Sequence, residues 1–192
     1  MPKFTFGWTN TFRYKNFDLS VFINGSYGNK VYNYLSMKLT HMNSPWTNQL
    51  NAVNGRAQLV PINPNKVYED GTMWYNDVSN VMVANPGASI PRATINDPND
   101  NDRISDRYIE DGSYIRLKNI SLGYTFPKKT IDKLGLSNLR IYANIQNLLT
   151  ITGYDGYDPE IGASTSSVNV YGLDTGRYPS PTVYSFGLNV SF

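Results

Sequence analysis

Hydrophobic and polar positions alternate along two neighbouring segments of the chain, residues 3–13 and 17–27. The repeat is two residues, as in a β-strand, and differs from the 3.6 residues of a helix. In the first segment the apolar positions are aromatic, namely Phe4, Phe6, Trp8 and Phe12. Alternation of this kind predicts strands with one apolar and one polar face. Because only residues 14–16 separate the segments, the pattern also predicts a hairpin.

Three later segments show the same alternation, at residues 114–126, about 138–149 and 182–192. In the first of these, the second half alternates cleanly from Ile120 to Phe126, whereas Ile115 and Leu117 have the opposite parity. A β-bulge near Asn119 would return these two residues to the common apolar face. The alternative is that the first half of this strand lies outside the two-faced environment.

The connections between these strands differ greatly in length. Residues 14–16 and 127–137 form short connections, and a helical turn ended by Gly135 is predicted at residues 130–134. The other connections, about residues 28–113 and 150–181, are long and rich in Asn, Asp, Gly, Pro and Tyr. Short turns at one end and long loops at the other are typical of outer-membrane β-barrels. Soluble β-sandwiches also contain alternating strands, so both architectures remain open on the alternation alone.

The last strand ends on an aromatic residue, which favours the membrane barrel. The assembly machinery of outer-membrane barrels reads a C-terminal strand of this kind. A soluble strand that happens to end in Phe is the alternative. The predicted assembly strand has its apolar residues at alternate positions, Tyr184, Phe186, Leu188, Val190 and Phe192.

Composition excludes several kinds of chemistry. The chain has 17 Lys and Arg against 15 Asp and Glu, a net charge of +2, so no strong field favours nucleic acid. With no Cys and one His, it holds no disulfide, zinc-thiolate site, cysteine nucleophile or multi-histidine site. No stretch approaches the ~20 apolar residues of a membrane helix. No cofactor and no catalytic residue is predicted.

Five segments together resemble one protein family. They are NTFRYKNFDLSVFINGSYG at 10–28, DRYIEDGSYIRLKNISLGY at 106–124, LRIYANIQNL at 139–148, GYDGYDPE at 153–160 and PSPTVYSFGL at 179–188. In this order they resemble the C-terminal part of a SusC/RagA-family, TonB-dependent outer-membrane transporter. The resemblance covers essentially the whole chain.

The resemblance implies an all-β fold, with antiparallel up-and-down strands forming the C-terminal segment of a large transmembrane β-barrel. Residues 1–192 are then the C-terminal portion of a receptor barrel, and Met1 is expected to be an internal start. The signal peptide, the plug and most strands would lie elsewhere in the parent protein. Five strands cannot close a lipid-facing barrel, and open edges in lipid leave backbone groups unpaired.

The resemblance also implies a function, which is active import of an oligosaccharide or peptide across the bacterial outer membrane. The expected partners are a SusD-like surface lipoprotein, the TonB complex through the plug, the barrel assembly machinery and the lipid bilayer. The chain is not expected to be an enzyme. The alternative is a secreted or cell-surface carbohydrate-binding β-sandwich module. The two differ in the surroundings of Phe17, Leu19, Val21 and Ile23, which face lipid in a barrel and another sheet in a sandwich.

Aromatic residues in the long loops are the candidate ligand contacts, because sugar rings have apolar C–H faces that stack on aromatic rings. The candidates are Trp46, Trp74, Tyr75, Tyr154 and Tyr157. Packing within the loops, or contact with the lipoprotein, is the alternative role for each.

Two further groups of polar residues have a spacing that suggests a specific role. Asp97, Asn99 and Asn101 place oxygens at alternate positions, as in a calcium loop, but the Gly and Glu of an EF-hand are missing. A hydrated loop with Asx turns is the favoured interpretation, and no metal site is predicted here. Asp18 and Arg140 share the polar side of their strands, which places both in the lumen, where they can pair.

Overall fold

The computed structural model describes residues 1–97, 99–160 and 172–192. The chain divides into two units, residues 1–33 with 109–192, and residues 34–108. In chain order the strands are β1 (Phe4–Tyr14), β2 (Phe17–Tyr27), β3 (Lys30–Asn33), β4 (Leu59–Pro61), β5 (Val81–Val83), β6 (Ile109–Asp111), β7 (Tyr114–Thr125), β8 (Asn138–Thr152), β9 (Leu173–Asp174) and β10 (Val183–Ser191). The α-helices are α1 (Tyr34–Thr40) and α2 (Lys128–Ile131), and 3-10 turns form at Asn51–Gly55, Trp74–Asn76, Val78–Asn80, Asp106–Tyr108 and Asp132–Leu134.

The first unit is built on a five-stranded antiparallel sheet in the order β1-β2-β7-β8-β10. These are the strands that alternation predicted, and the β1–β2 hairpin is confirmed. Their boundaries agree with the prediction within one residue, except that β8 continues to Thr152. Because neighbouring strands are antiparallel, the two short connections leave one end of the sheet and the two long connections leave the other.

A bulge in β7 explains the change of parity along this strand. Leu117 is opposite Ile23 and Asn119 is opposite Phe22, so Lys118 is left without a partner in the ladder with β2. The extra residue returns Leu117 and Ile115 to the face that carries Ile120. The bulge predicted near Asn119 is therefore confirmed. Strand β8, on the other side of β7, is irregular at the same level. Its residues 147 and 148 lie outside the register with β7, and the backbone of Asn147 is left-handed (φ 52°).

The short connection after β7 forms the predicted helical turn. It begins earlier than predicted, with α2 at Lys128, and continues as a 3-10 turn to Leu134. Gly135 ends the turn with φ 69°, a conformation that glycine adopts without steric cost. The side chain of Ile131 is buried beneath the turn, and this fixes the connection.

The long connections contain short elements of their own. In the first unit, β3 pairs with β6 in antiparallel and with β9 in parallel orientation, and Val31 of β3 is buried in this small sheet. In the second unit, β4 and β5 form a two-stranded antiparallel ribbon. Within the described part of the chain, no helix has the length and apolar character needed to cross a membrane.

Candidate functional site

The five-stranded sheet has one apolar face. The register aligns apolar side chains of neighbouring strands in rows across this face. Asn10 of β1 is a polar exception, and it lies opposite Val21 of β2. Many of these side chains are exposed, and Phe186 is 84% exposed. Two of the rows are Tyr14-Phe17-Tyr124-Ile141-Leu188 and Phe12-Leu19-Leu122-Ala143-Phe186. Because so many of these side chains are exposed, the described residues do not seal the apolar rows in the core of a sandwich.

The terminal strand contributes to the same apolar face. Tyr184, Phe186 and Leu188 are opposite Ile145, Ala143 and Ile141 of β8, and all three are exposed. Val190 and Phe192 continue the alternation and are also exposed. The sheet thus arranges the residues of the predicted assembly strand in one line at its edge. Recognition of this line by an assembly machine stays a prediction.

The opposite face is polar and carries the predicted Asp18–Arg140 pair. Arg140 Nη2 donates to Asp18 Oδ2 over 2.6 Å, and Nε donates to Oδ1 over 3.2 Å. The two residues lie on β2 and β8, with β7 between them. Gly123 of β7 is opposite Asp18, and a Cβ at this position would lie 2.6 Å from Asp18 Oδ1. The missing side chain therefore leaves the space in which the ion pair crosses β7.

A buried arginine joins the polar face to the loop that follows β8. Arg116 of β7 is 3% exposed, and its Nε donates to Thr150 Oγ1 over 2.8 Å. Its other nitrogens donate to Asp158 and, over 2.7 Å, to Glu160. Lys118, at the bulge, also donates to Glu160 over 2.7 Å. We call these five residues the Arg116 network; it holds the loop against the wall through charged hydrogen bonds.

The pKa of one loop carboxylate of this network, that of Asp158, is lowered. Burial raises the pKa of Asp158, but hydrogen bonds from Arg116 and from the backbone of Ser180 and Glu160 outweigh burial and lower this pKa below 3.8. The network was not predicted from the sequence. Asp158 and Glu160 lie in a loop, where no periodicity indicates which strand residue they meet.

Two of the predicted ligand residues follow β8, and their surroundings differ. Tyr154 is 5% exposed, and its hydroxyl donates to the buried carboxylate of Asp174. Burial and this hydrogen bond raise the pKa of Tyr154. The ring of Tyr154 is therefore covered by protein, whereas Tyr157 is exposed. The sequence did not distinguish these two tyrosines, because both occur in the same polar repeat, GYDGYDPE.

The three predicted ligand residues of the second unit, Trp46, Trp74 and Tyr75, also lie in different surroundings. Trp46 is 93% exposed and lies outside the cavity described next. Trp74 and Tyr75 lie together in a 3-10 turn, with ring centroids 5.6 Å apart and planes at 80°. Both line an open cavity of about 850 Å³ whose wall also contains Arg56 and Arg92. The structure thus assembles one aromatic pair with two cations.

The loop with calcium-like spacing contains hydrogen bonds between its own residues. Asn101 donates its amide N–H to Asp97 Oδ1 over 2.7 Å, and Asp102 donates its backbone N–H to Asp97 Oδ2 over 3.2 Å. His41 Nε2 lies 3.8 Å from Asp97 Oδ2. The side-chain amide of Asn101 thus serves Asp97 as a donor. The interpretation as a hydrated loop stays a prediction, and the carboxylate of Asp97 already has protein partners.

The sheet is open and antiparallel, with one exposed apolar face and one polar face. Its long loops and its short turns leave opposite ends. These features define a segment of a transmembrane β-barrel wall. Comparison with known proteins identifies relatives that match the whole chain. The chain is 35% identical to TonB-dependent receptor P3 of Formosa agariphila over all of this chain and 16% of that protein. It is 29% identical to TonB-dependent receptor SusC of Bacteroides thetaiotaomicron over 97% of this chain and 15% of that protein.

Solved structures show the same fold. The RagAB peptide transporter aligns with a TM-score of 0.70 at 22% identity, covering all of this chain and 17% of that chain. The RagAB peptide importer in its closed-closed state aligns with a TM-score of 0.66 at 20% identity, over the same shares. No family model matches the chain. Over its whole length the chain is similar to TonB-dependent receptors, and it spans about one sixth of the length of these relatives.

Proposed function

We propose that the chain forms the C-terminal part of the wall and the outer loops of a bacterial outer-membrane importer. The exposed apolar face of the five-stranded sheet carries this proposal. A row of Phe, Leu and Ile side chains that is exposed in water is unfavourable, whereas acyl chains solvate it at no cost. The open edges at β1 and β10 pair with the remaining strands of the parent barrel.

The proposed cargo is an oligosaccharide, and the proposed partner is a SusD-like surface lipoprotein. Trp74 and Tyr75 support a sugar ligand, because their rings line a cavity of the loop unit together with amide side chains. The relation to SusC supports the lipoprotein partner. Energy reaches the barrel from TonB through the plug of the parent protein. No covalent bond is made or broken in this process.

Uptake by cells tests the function. A strain that depends on the full-length parent protein is grown on oligosaccharides as sole carbon source, with and without the genes for TonB and for the neighbouring lipoprotein. We expect growth to require all three proteins. Growth on oligosaccharides that persists without TonB contradicts active import. Growth on peptides, but on no oligosaccharide, replaces the proposed cargo with a peptide.

A further inference from the structure

The cavity of the second unit has lining charges of one sign. Arg56 and Arg92 are the charged residues among the described residues that line it, and no Asp or Glu is present there. At about 850 Å³ the cavity is within the size range of small-ligand sites. Two guanidinium groups in one cavity, without an acidic neighbour in its wall, create a positive potential that attracts an anion.

Backbone bonds hold the two arginine-bearing segments side by side. The Ala57 N–H donates to the Ile90 carbonyl over 2.8 Å, next to a parallel bridge between Arg56 and Ile90. The side chain of Asn85 also hydrogen-bonds to the segment that contains Arg56. Its amide donates to the Arg56 carbonyl over 2.9 Å and accepts from the Gln58 N–H over 2.8 Å. Since Arg92 follows Ile90 by two residues, both cations are on an ordered scaffold.

Neither guanidinium meets a carboxylate within the described residues. Arg56 donates to the Val53 carbonyl over 3.3 Å, which leaves its remaining N–H groups for other acceptors. Two carboxylates of the same unit, Asp77 and Asp97, have partners of their own. Lys66 and Tyr68 donate to Asp77, and Asn101 donates to Asp97. The positive charge of the cavity is therefore not neutralised by the protein.

The aromatic and amide groups of the same wall match a sugar better than an acidic peptide. The rings of Trp74 and Tyr75 are nearly perpendicular to each other, and the face of an aromatic ring is a surface on which the C–H face of a sugar can pack. Gln58, Asn76 and Asn96 line the cavity and offer both donors and acceptors. This is the chemistry that adjacent hydroxyl groups require.

We propose that this cavity binds an anionic oligosaccharide, whose carboxylate or sulfate groups pair with Arg56 and Arg92 while a sugar ring contacts the Trp74–Tyr75 pair. This inference rests on the proposed function and names the class of its cargo. Arginine suits the role because its planar fork of N–H groups matches the oxygens of carboxylate and sulfate.

Calorimetric binding to the full-length transporter, in complex with its lipoprotein, tests this assignment. The probes are tetragalacturonate, a sulfated galacto-oligosaccharide and a neutral galactotetraose, which separate carboxylate from sulfate and both from neutral sugar. The variants are Arg56→Gln and Arg92→Gln. Arg103→Gln is the matched control, because it removes the same charge at an exposed position of the same unit outside the cavity wall.

We expect one of the anionic probes to bind at least about tenfold more tightly than the neutral one, and each cavity variant to weaken that binding by about tenfold. The Arg103→Gln protein should bind like the wild type. Higher salt should weaken binding of the anionic probe and leave the neutral probe unaffected.

Three binding results overturn the proposal. The first is equal or weaker binding of both anionic probes relative to the neutral sugar. The second is unchanged binding in Arg56→Gln and Arg92→Gln. The third is preference for tetraglutamate over every sugar probe, which would assign the site to acidic peptides. TonB-dependent import of neutral oligosaccharides alone would remove this inference and leave the proposed function standing.

Discussion

At the scale of residues, the polar face of the sheet depends on a position without a side chain. Gly123 lies between Asp18 and Arg140, and the ion pair crosses β7 through the space that it leaves. Both charged side chains are less than a third exposed, so solvent weakens their interaction only in part. A charged hydrogen bond in such a setting contributes more than a surface ion pair does.

Gly123→Ala should therefore destabilise the barrel. The added Cβ displaces the pair, at a cost of about 1.5–3 kcal/mol, the usual range for a charged hydrogen bond. Gly153→Ala is the control, since a Cβ there meets no atom within 4 Å. Thermal unfolding of the full-length protein in detergent measures both. Equal stability of the two variants would show that Gly123 has no such role.

The Arg116 network predicts a pH dependence. The pKa of Asp158 is lowered in the folded protein, so the carboxylate stabilises the loop fully above roughly pH 5 and loses this effect as the pH falls through the lowered pKa. Asp158→Asn should reduce the melting temperature at neutral pH, and its difference from the wild type should shrink toward zero in acid. Asp155→Asn, at an exposed position of the same loop, serves as control. A difference that does not change with pH contradicts this account.

The sequence predicted the Asp18–Arg140 pair and missed the Arg116 network, for a physical reason. Alternation assigns each strand residue to a face, and Asp18 and Arg140 are both strand residues. Asp158 and Glu160 reach their partners through loop conformation, which has no period. For the same reason the sequence did not indicate that Tyr154 is buried.

At the scale of elements, the bulge in β7 maintains the separation of the two faces. Without the extra residue at Lys118, the side chains of Ile115 and Leu117 would move to the polar side of the sheet. The change of parity along the sequence indicated this bulge as one of two explanations. The short elements inside the long connections, such as β4 and β5, were not predicted, because three-residue strands carry too little pattern.

Deletion of Lys118 should therefore prevent assembly of the barrel. The deletion shifts one half of β7 by one residue and places apolar side chains on the polar face. Lys118→Gln keeps the residue count, loses the ion pair with Glu160, and should still assemble. Heat-modifiable migration in electrophoresis measures the folded fraction of each. An assembled deletion variant would show that the bulge does not set the register.

At the scale of the whole molecule, the account depends on the apolar face contacting lipid. Phe186→Arg should then hinder insertion, because a basic residue facing the bilayer interior costs about 2–4 kcal/mol. Ser185→Arg, next to it on the polar face, should be tolerated. Folding of the full-length protein into vesicles compares the two. The opposite order of folding yields would contradict a lipid-facing Phe186.

The most direct measurement of this claim uses the absence of cysteine from the chain. Single cysteines at residues 184–189 of the full-length protein, with any other cysteine removed, carry a spin label in a bilayer. At each position, the rate at which the label collides with a lipid-soluble relaxing agent and with a water-soluble one is then measured. The account predicts strict alternation, with residues 184, 186 and 188 in contact with lipid and residues 185, 187 and 189 in contact with water. Labels at residues 184, 186 and 188 that are reached by water, or shielded from both agents, would contradict it.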